Sequence, residues 1–417
     1  MQTHLLLEHL PPLPDKDAAK LRFLCYKKLQ LFPKKPGEFK FPGSQPVSLE
    51  QKSLETLAAE VRASPEEDVY YVAEKTDGMR WMMMIQPEGK QSFMIDRHFK
   101  FRCLPQAMQF PSLVKGKFID STLLDGELVI DTDLNTGEQS LRYLIYDACV
   151  VNGDLVTQEH LLLRLGAVQR ELLLPLFQSE AASGPLMFRI ELKSYHTLSH
   201  LPFLFQQIRP ANEDSTHKFT FRDEKTITTS NGLVQTHFLE HGTDGLIFQP
   251  VTKYVHGTDK RILKWKPAEM NSVDFGLREE WKRYREGYGD PLEPRYLLTT
   301  LDEHGVQEEF QWIEFTNAER ALFTKELNQI KSRGSASKEN QQIIIECVWD
   351  PTRWTRKYKK HIATWEKASA GGVQGGWKFE RVRADKNTPN SKATVQSVLQ
   401  SIKDGVTKEM LLQALQP

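Results

Sequence analysis

The chain has 417 residues, 39% hydrophobic and 26% charged, a mix that supports sizeable globular cores. At roughly 100–200 residues per domain, this length allows two or three domains. Its 55 basic and 55 acidic residues cancel, which argues against a blanket nucleic-acid coat but not against a local basic groove.

The amino terminus, MQTHLLLEHLPPLPDKD, reads as a short helix or loose arm over residues 1–20. Its apolar patch has no basic region ahead of it and is broken by Glu8, His9 and prolines, so it is not read as a signal peptide. The stretch from Pro33 to Pro46, rich in Pro, Gly and Lys, reads as a loop. Ser48 and Gln51 fit a capping box, opening a helix with apolar spacing at Leu54, Leu57, Ala58 and Val61. Strands are predicted at Val69–Lys75, Met79–Ile85, Gln91–Arg102, Ser121–Asp131 and Leu141–Val151. Helical spacing follows between Gln158 and Phe177, ending near Pro175, and then a strand at Met187–Lys193. Residues 209–231 carry no assignment. Gly245–Pro250 and Arg261–Pro267 read as two more strands, completing a strand-rich α+β region.

After Pro267, the runs RYLLTTLD, EEFQWIEF and QQIIIECVW read as short strands of a smaller unit that suits a small barrel such as an OB-fold. Leu277–Gly289 and Lys331–Asn340 read as surface segments, and Ser391–Leu415 as helix interrupted at Gly405. No run of 18 apolar residues suggests a membrane span. Cys25, Cys103, Cys149 and Cys347 stand far apart without a Cys-x-x-Cys pair, and read as reduced thiols of a cytosolic or nuclear protein.

Six short units carry chemistry. In EKTDGMR (Glu74–Arg80), Lys75 is a candidate nucleophile, which requires a neutral amine and hence a depressed pKa. Arg80 offers a fork of donors for a ribose hydroxyl or phosphate. The same unit also reads as a solvated turn. On the strand Asp125–Glu127, Glu127 either pairs with a lysine or positions ribose or a divalent ion. In YLIYD (Tyr143–Asp147), Tyr146 is a core residue or a platform for a base. Asp244 precedes Gly245 in a plain turn or as another carboxylate of the site. In LKWKP, Lys264 and Lys266 share one strand face, on a solvated edge or as an α-phosphate clamp. In ERVRADKNTPN (Glu380–Asn390), Arg381 and Arg383 share a face if extended, followed by Asp385 and Lys386, as a phosphate site or a surface loop. Together these units fit attack on the α-phosphorus of a nucleoside triphosphate with pyrophosphate leaving. Neither a P-loop nor the glycine loop of a kinase is present to suggest another route.

The ordered set Lys75–Gly78, Asp125–Glu127, Tyr143–Asp147, Asp244–Gly245, Lys264/Lys266 and Arg381–Asn390 resembles the covalent nucleotidyltransferases. The flanks Phe41–Leu49, Asp244–Pro250, Ile262–Phe275 and Arg381–Asn390 resemble the capping guanylyltransferases of that superfamily. The resemblance implies an α+β, ligase-like nucleotidyltransferase domain with antiparallel sheets, unrelated to ATP-grasp, over residues 1–268. It implies an OB-fold β-barrel over 269–390, and a helical segment over 391–417 packing back on the first domain.

It further implies that Lys75 carries GMP from GTP to the diphosphate end of RNA, with Mg2+ or Mn2+ assisting. Arg80, Arg97 and Glu127 would contact ribose and phosphate. Tyr146 would stack on guanine, and Glu74 and Lys193 would lie at the nucleotide. Glu127 and Asp244 would serve the metal, and Lys264 and Lys266 the α-phosphate. Arg381, Arg383, Asp385 and Lys386 would orient pyrophosphate. The implied partners are a separate RNA triphosphatase and the phosphorylated tail of RNA polymerase II, in the nucleus and without a membrane. An ATP-dependent RNA or DNA ligase is the alternative from the same superfamily.

Overall fold

Short aromatic and β-branched runs build strands through most of this chain. The computed structural model describes residue 7 and residues 10–35, 37–87, 91–105, 108–180, 186–211, 217–228, 234–267, 270–281, 294–332, 342–356, 372–384 and 386–415. Two units divide it: Met1–Lys266 with Lys408–Pro417, and Pro267–Thr407.

The first unit opens with α1 (Asp15–Lys28), β1 (Ser44–Ser48) and α2 (Gln51–Ala63). The strands β2 (Tyr70–Thr76), β3 (Met79–Ile85), β4 (Ser92–Ile95), β5 (Phe101–Cys103), β6 (Thr122–Asp133), β7 (Gln139–Val151) and β8 (Asp154–Leu155) follow. Then come α3 (Leu161–Val168), a π-helical turn Gln169–Leu173, α4 (Leu174–Glu180), β9 (Arg189–Leu192), β10 (His196–Thr197) and α5 (Leu201–Gln207). Strands β11 (Ile208–Pro210), β12 (Phe219–Thr228), β13 (Val234–Pro250) and β14 (Gly257–Trp265) complete it.

The main ladder runs β1-β14-β13-β6-β3-β4-β5, with β2 and β12 branching from β13 and β7 from β6. The long strands β6 and β13 therefore serve two faces of one curled sheet. The run MRWMMMI in β3 is buried on both sides. Trp81, Met83 and Ile85 join one core, while Met82 and Met84 join another together with Cys25 and Tyr26 of α1.

Two local expectations change. The helix after Ser48 begins at Gln51 with Glu50 at its cap, because Ser48 instead ends β1 opposite Lys264. The predicted helix at Gln158–Phe177 does not stop at Pro175. Its turn loosens to π geometry just before the proline, with Leu174 N–H reaching Gln169 O.

In the second unit, β15 (Ser272–Trp281), β16 (Pro294–Leu301), β17 (Gln307–Ile313), α6 (Asn317–Ser332), β18 (Ile343–Arg356), β19 (Gly372–Val382) and α7 (Lys392–Asp404) follow in chain order. Its five strands pair in the order β17-β16-β15-β18-β19. The expected closed OB barrel is not formed: among the described residues, β17 and β19 are the two ends of an open sheet. The reason lies in α6, whose Phe323 packs on Phe379 of β19. Its carboxylates take the edge amides, Glu319 from Phe379 N (3.1 Å) and Glu326 from Val382 N (2.6 Å). That helix starts on a capping box, with Thr316 N donating to Glu319 (2.7 Å) and Glu319 N to Thr316 (3.2 Å).

The carboxyl-terminal helical segment breaks at the expected place. Ser391 caps α7 by accepting from Thr394 N, and Gly405 ends it in the left-handed region at φ 57°. The last helix, α8 (Lys408–Leu415), belongs to the first unit, with Leu411 and Leu415 buried. Among the described residues no helix is long and apolar enough to cross a membrane.

Candidate active site

The link between β2 and β3 is only Asp77–Gly78, yet these strands pair with different neighbours, β2 with β13 and β3 with β6. The chain must therefore turn tightly against β6. A Cβ at Gly78 would lie 2.5 Å from Leu128 O and 2.9 Å from Glu127 Cγ, so only glycine allows this approach. Lys75 sits at the end of β2, with its carbonyl accepting from Thr243 Oγ1 at 2.8 Å.

Opposite it, the ladder pairs Thr76 with Thr243 and Lys75 with Gly245. Asp244 is the extra residue of a β-bulge, which re-aims its side chain. Gly245 makes the bulge possible: its φ is 146°, and a Cβ there would lie 2.0 Å from Trp265 O. The result is a three-residue ionic cluster, Lys75 Nζ to Asp244 Oδ1 at 2.7 Å and Lys266 Nζ to Asp244 Oδ2 at 2.5 Å.

Burial would lower the Lys75 ammonium, but the carboxylates of Asp244, Glu127 and Asp77 outweigh it and raise its pKa. The depressed pKa expected of a nucleophile is thus not found in this cluster. Lys264 shows the opposite balance: burial, then Lys266 and Lys75, push it down, and Asp244 opposes only in part. No hydrogen bond or ion pair engages Lys264 Nζ among the described residues. Burial pushes the Glu127 carboxyl up to about 7, with Lys75 and Lys193 opposing. It too has no hydrogen bond or ion pair among the described residues.

Arg80 does not reach out freely. It forms a bidentate pair with fully buried Asp125, Nε to Oδ1 at 3.0 Å and the terminal nitrogen to Oδ2 at 2.6 Å. Its guanidinium lies over the rings of Phe41 (5.2 Å) and Tyr146 (5.7 Å). Tyr146 is the bulged residue of β7, skipped between Asp147 and Ile145 in the pairing with β6. Its hydroxyl donates to Asp125 Oδ1 at 2.8 Å, and Tyr254 donates to Oδ2 at 2.5 Å. Tyr254 also accepts from Ser44 N (2.8 Å), so one carboxylate ties Arg80, Tyr146 and the Phe41–Ser44 segment together.

Lys193 donates to Glu74 at 2.5 Å and also to Thr76, and His241 lies 3.4 Å from Glu74. Beside the nucleophile loop, His217 meets Asp77 at 2.9 Å. Arg97 is exposed on the turn between β4 and β5, and no hydrogen bond or ion pair joins it to these groups among the described residues.

In the second unit, Arg381 pairs with Glu346 at 2.6 Å, and Arg383 with Asp274 at 2.9 Å. Lys386 also bonds Asp274. The three cations therefore converge on two carboxylates from β15 and β18. Asp385 lies outside the described residues.

The family model for the mRNA capping enzyme catalytic domain matches residues 13–213 and 206–268, and that for the capping enzyme C-terminal domain matches residues 270–412. The chain belongs to the mRNA capping enzyme family. The mRNA-capping enzyme subunit alpha of Schizosaccharomyces pombe is 31% identical, over 90% of this chain and 80% of that protein. The Saccharomyces cerevisiae subunit alpha is 31% identical, over 89% and 77%. The mRNA-capping enzyme of Mus musculus is 32% identical, over 89% of this chain but 49% of that protein. Among solved structures, an ATP-dependent DNA ligase from bacteriophage T7 complexed with ATP covers 82% of this chain and 98% of its own, at 15% identity and a TM-score of 0.32. A mycobacterial DNA ligase D gives 12% identity and a TM-score of 0.33.

This capping-family site has an acid-sensitive side. Burial alone would raise the Glu74 carboxyl, but Lys193 and His241 outweigh it and hold it at about 2, against an ordinary 4.5. A carboxyl held below its unfolded value stabilises the fold above pH 4.5, and that stability is lost as pH falls toward 2. The linked contribution is about 3 kcal/mol. Lys193→Met keeps the aliphatic stem and removes the counter-charge. The midpoint of acid unfolding, followed by circular dichroism, should then move to higher pH; an unshifted midpoint would show that Lys193 does not hold Glu74.

Proposed function

We infer that the chain is an mRNA guanylyltransferase that takes GMP from GTP onto Lys75 and passes it to the diphosphate end of RNA. The observation that carries this reading is the Lys75–Asp244–Lys266 cluster, within 2.7 Å contacts, in a chain covered by both capping-family models. In the first step, the Lys75 ammonium gives up a proton to solvent, the lone pair of the resulting amine attacks the α-phosphorus, and a second N–H proton leaves as the P–N bond forms. The bond to the bridging oxygen breaks and pyrophosphate leaves. In the second, a terminal oxygen of the RNA diphosphate attacks the same phosphorus. The P–N bond breaks, and the GpppN cap leaves with lysine restored.

Lys264 and Lys266 serve the α-phosphate, Lys264 directly and Lys266 in exchange for its Asp244 partner. Arg80 and Tyr146, held by Asp125, present a flat cationic and aromatic surface for ribose and base. Lys193 and Glu74, paired with each other beside Thr76, serve the nucleotide as donor and acceptor. Arg381, Arg383 and Lys386 serve the departing pyrophosphate by exchanging carboxylate partners for phosphate oxygens.

The residues fit a divalent ion, Mg2+ or Mn2+, at Glu127, a half-buried carboxylate whose charge burial disfavours. Asp244, already shared by two ammonium groups, fits one only in exchange for a lysine. Among the described residues no three acidic, histidine or cysteine side chains converge as a metal cage, so the nucleotide and water would complete the shell. When bound, the ion would offset the carboxylate field on Lys75 and neutralise phosphate charge. We assign the supply of diphosphate ends to a separate RNA triphosphatase, and delivery to transcripts to the phosphorylated polymerase II tail, in the nucleus.

Incubation with each labelled nucleoside triphosphate and a divalent ion tests the reading. GTP should leave an acid-labile, base-stable label on the protein. Label from ATP alone would assign a ligase instead.

A further inference from the structure

The first unit carries a basic and aromatic surface that the transfer chemistry does not use. Between Asp15 and Lys40 stand eight lysines and arginines against three carboxylates, an excess that is local in a chain of zero total charge. Helix α1 buries Ala18, Leu21, Cys25 and Tyr26, and turns Phe23, Lys27 and Lys28 to solvent. Phe23 is 57% exposed, and Phe32, just past the helix, is 90% exposed. Two of the carboxylates sit at the amino-terminal end of α1, where Asp17 pairs with Lys20 at 3.1 Å and Asp15 lies 3.9 Å from Arg22. Lys27, Lys28, Lys34 and Lys35 are all exposed, and no ion pair engages them among the described residues.

This display is built. Helix α1 ends in a Schellman reversal, with Gln30 N donating to Lys27 O (3.3 Å) and Leu31 N to Tyr26 O (2.9 Å). Gln30 takes the left-handed position, at φ 54°, where glycine is the usual residue. The Tyr26 hydroxyl accepts from Lys40 N (2.8 Å) and donates to Lys40 O (2.9 Å). The segment carrying Phe32, Lys34 and Lys35 is thus tied to the helix at both ends. The next residue, Phe41, lies against the Arg80 guanidinium at 5.2 Å and edge-on to Phe99 at 6.4 Å. The surface is therefore continuous along the chain with the Arg80 side of the candidate site.

We propose that this surface holds the single-stranded RNA behind its 5′ end during transfer; the assignment rests on the reading of RNA as the acceptor. The lysines take backbone phosphates, and the rings of Phe23 and Phe32 stack on unpaired bases. Neither contact depends on base identity, as acceptance of transcripts of any sequence requires. An acidic peptide would use the lysines and leave both rings bare. A lipid surface would use both, but would gain nothing from the continuity with Arg80, where the RNA end must arrive.

The test uses the full chain and a dye-labelled single-stranded oligouridylate, with affinity read by fluorescence anisotropy over a range of salt and folding by thermal melting. Phe32→Ala should weaken binding by about 5- to 150-fold with the salt slope unchanged. Lys27→Gln, Lys28→Gln, Lys34→Gln and Lys35→Gln, combined in one variant, should weaken binding and lower the slope of log affinity against log salt by about 3. Both variants should keep wild-type melting and wild-type labelling by GTP, because none of these residues touches the Lys75 cluster. Unchanged RNA affinity in either would overturn the proposal. So would loss of binding to a phosphoserine peptide or to phosphatidylserine vesicles with RNA affinity intact, which would assign the surface to that partner. The binding assay needs no GTP: if wild-type chain forms no GMP adduct but both variants still bind RNA more weakly, the activity reading falls and the surface stands.

Discussion

Lys75→Ala is expected to form no covalent GMP adduct and to lose cap synthesis by on the order of 10⁴-fold or more, because a nucleophile has no substitute in a two-step transfer. Its fold should survive. Lys75 is partly solvent-accessible, and Asp244 keeps Lys266 as a partner at 2.5 Å. The sharper variant is Lys75→Arg. It keeps a positive charge beside Asp244 but cannot supply a neutral amine, since guanidinium stays protonated. If the cluster were only a structural ion pair, Lys75→Arg would be active. Lys75→Arg should instead be folded and without adduct, as judged by thermal melting and by labelling with GTP.

Asp125→Ala is the second large effect, and it acts on stability as well as on catalysis. Asp125 is fully buried and accepts two bonds from Arg80 and one each from Tyr146 and Tyr254. Removing it leaves a guanidinium without its counter-charge and two buried hydroxyls without an acceptor, a loss of about 3–5 kcal/mol. Denaturant unfolding should show that loss. Nucleotide labelling at a permissive temperature should fall further than the unfolded fraction explains, because Arg80 and Tyr146 lose their aim. Asp125→Asn keeps an acceptor and should fall between. A variant with wild-type stability and labelling would contradict the role given to this hub.

Much of this site was legible because its residues lie in short units where period-two alternation says which side chains share a face. Glu127, Lys264 and Lys266 are placed that way, while Lys75 and Asp244 stand out through the short units Lys-x-Asp-Gly and Thr-Asp-Gly. The pairings among them were not legible. Asp244 meets Lys75 through a bulge whose register is a tertiary fact, and Lys266 rather than Lys264 takes its second oxygen. Asp125 carried a signal that was not used: it stands two residues before Glu127 on one strand, hence on the same face. Tyr254 carried none, being brought to Asp125 across 129 residues of chain.

The fold shows the same division. β3 has the predicted bounds, Met79–Ile85, because a dense apolar run between turns leaves little choice. Helix α1 was hidden because exposed Phe23 and Leu24 blur the stripe made by Ala18, Leu21 and Cys25. Ser48 and Gln51 have the spacing of a capping box, but strand pairing of Ser48 with Lys264 overrides it. The box that forms is at Thr316–Glu319, and the helix it opens takes the edge of β19 that a closed barrel would have needed.

The most direct test of the central claim is to locate the adduct. After incubation with GTP and a divalent ion, the protein should gain the mass of one GMP, carried by the peptide containing Lys75, labile to acid and stable to base. Addition of diphosphate-ended RNA should discharge it as a capped end. An adduct on any other residue, or AMP in place of GMP, would contradict the account.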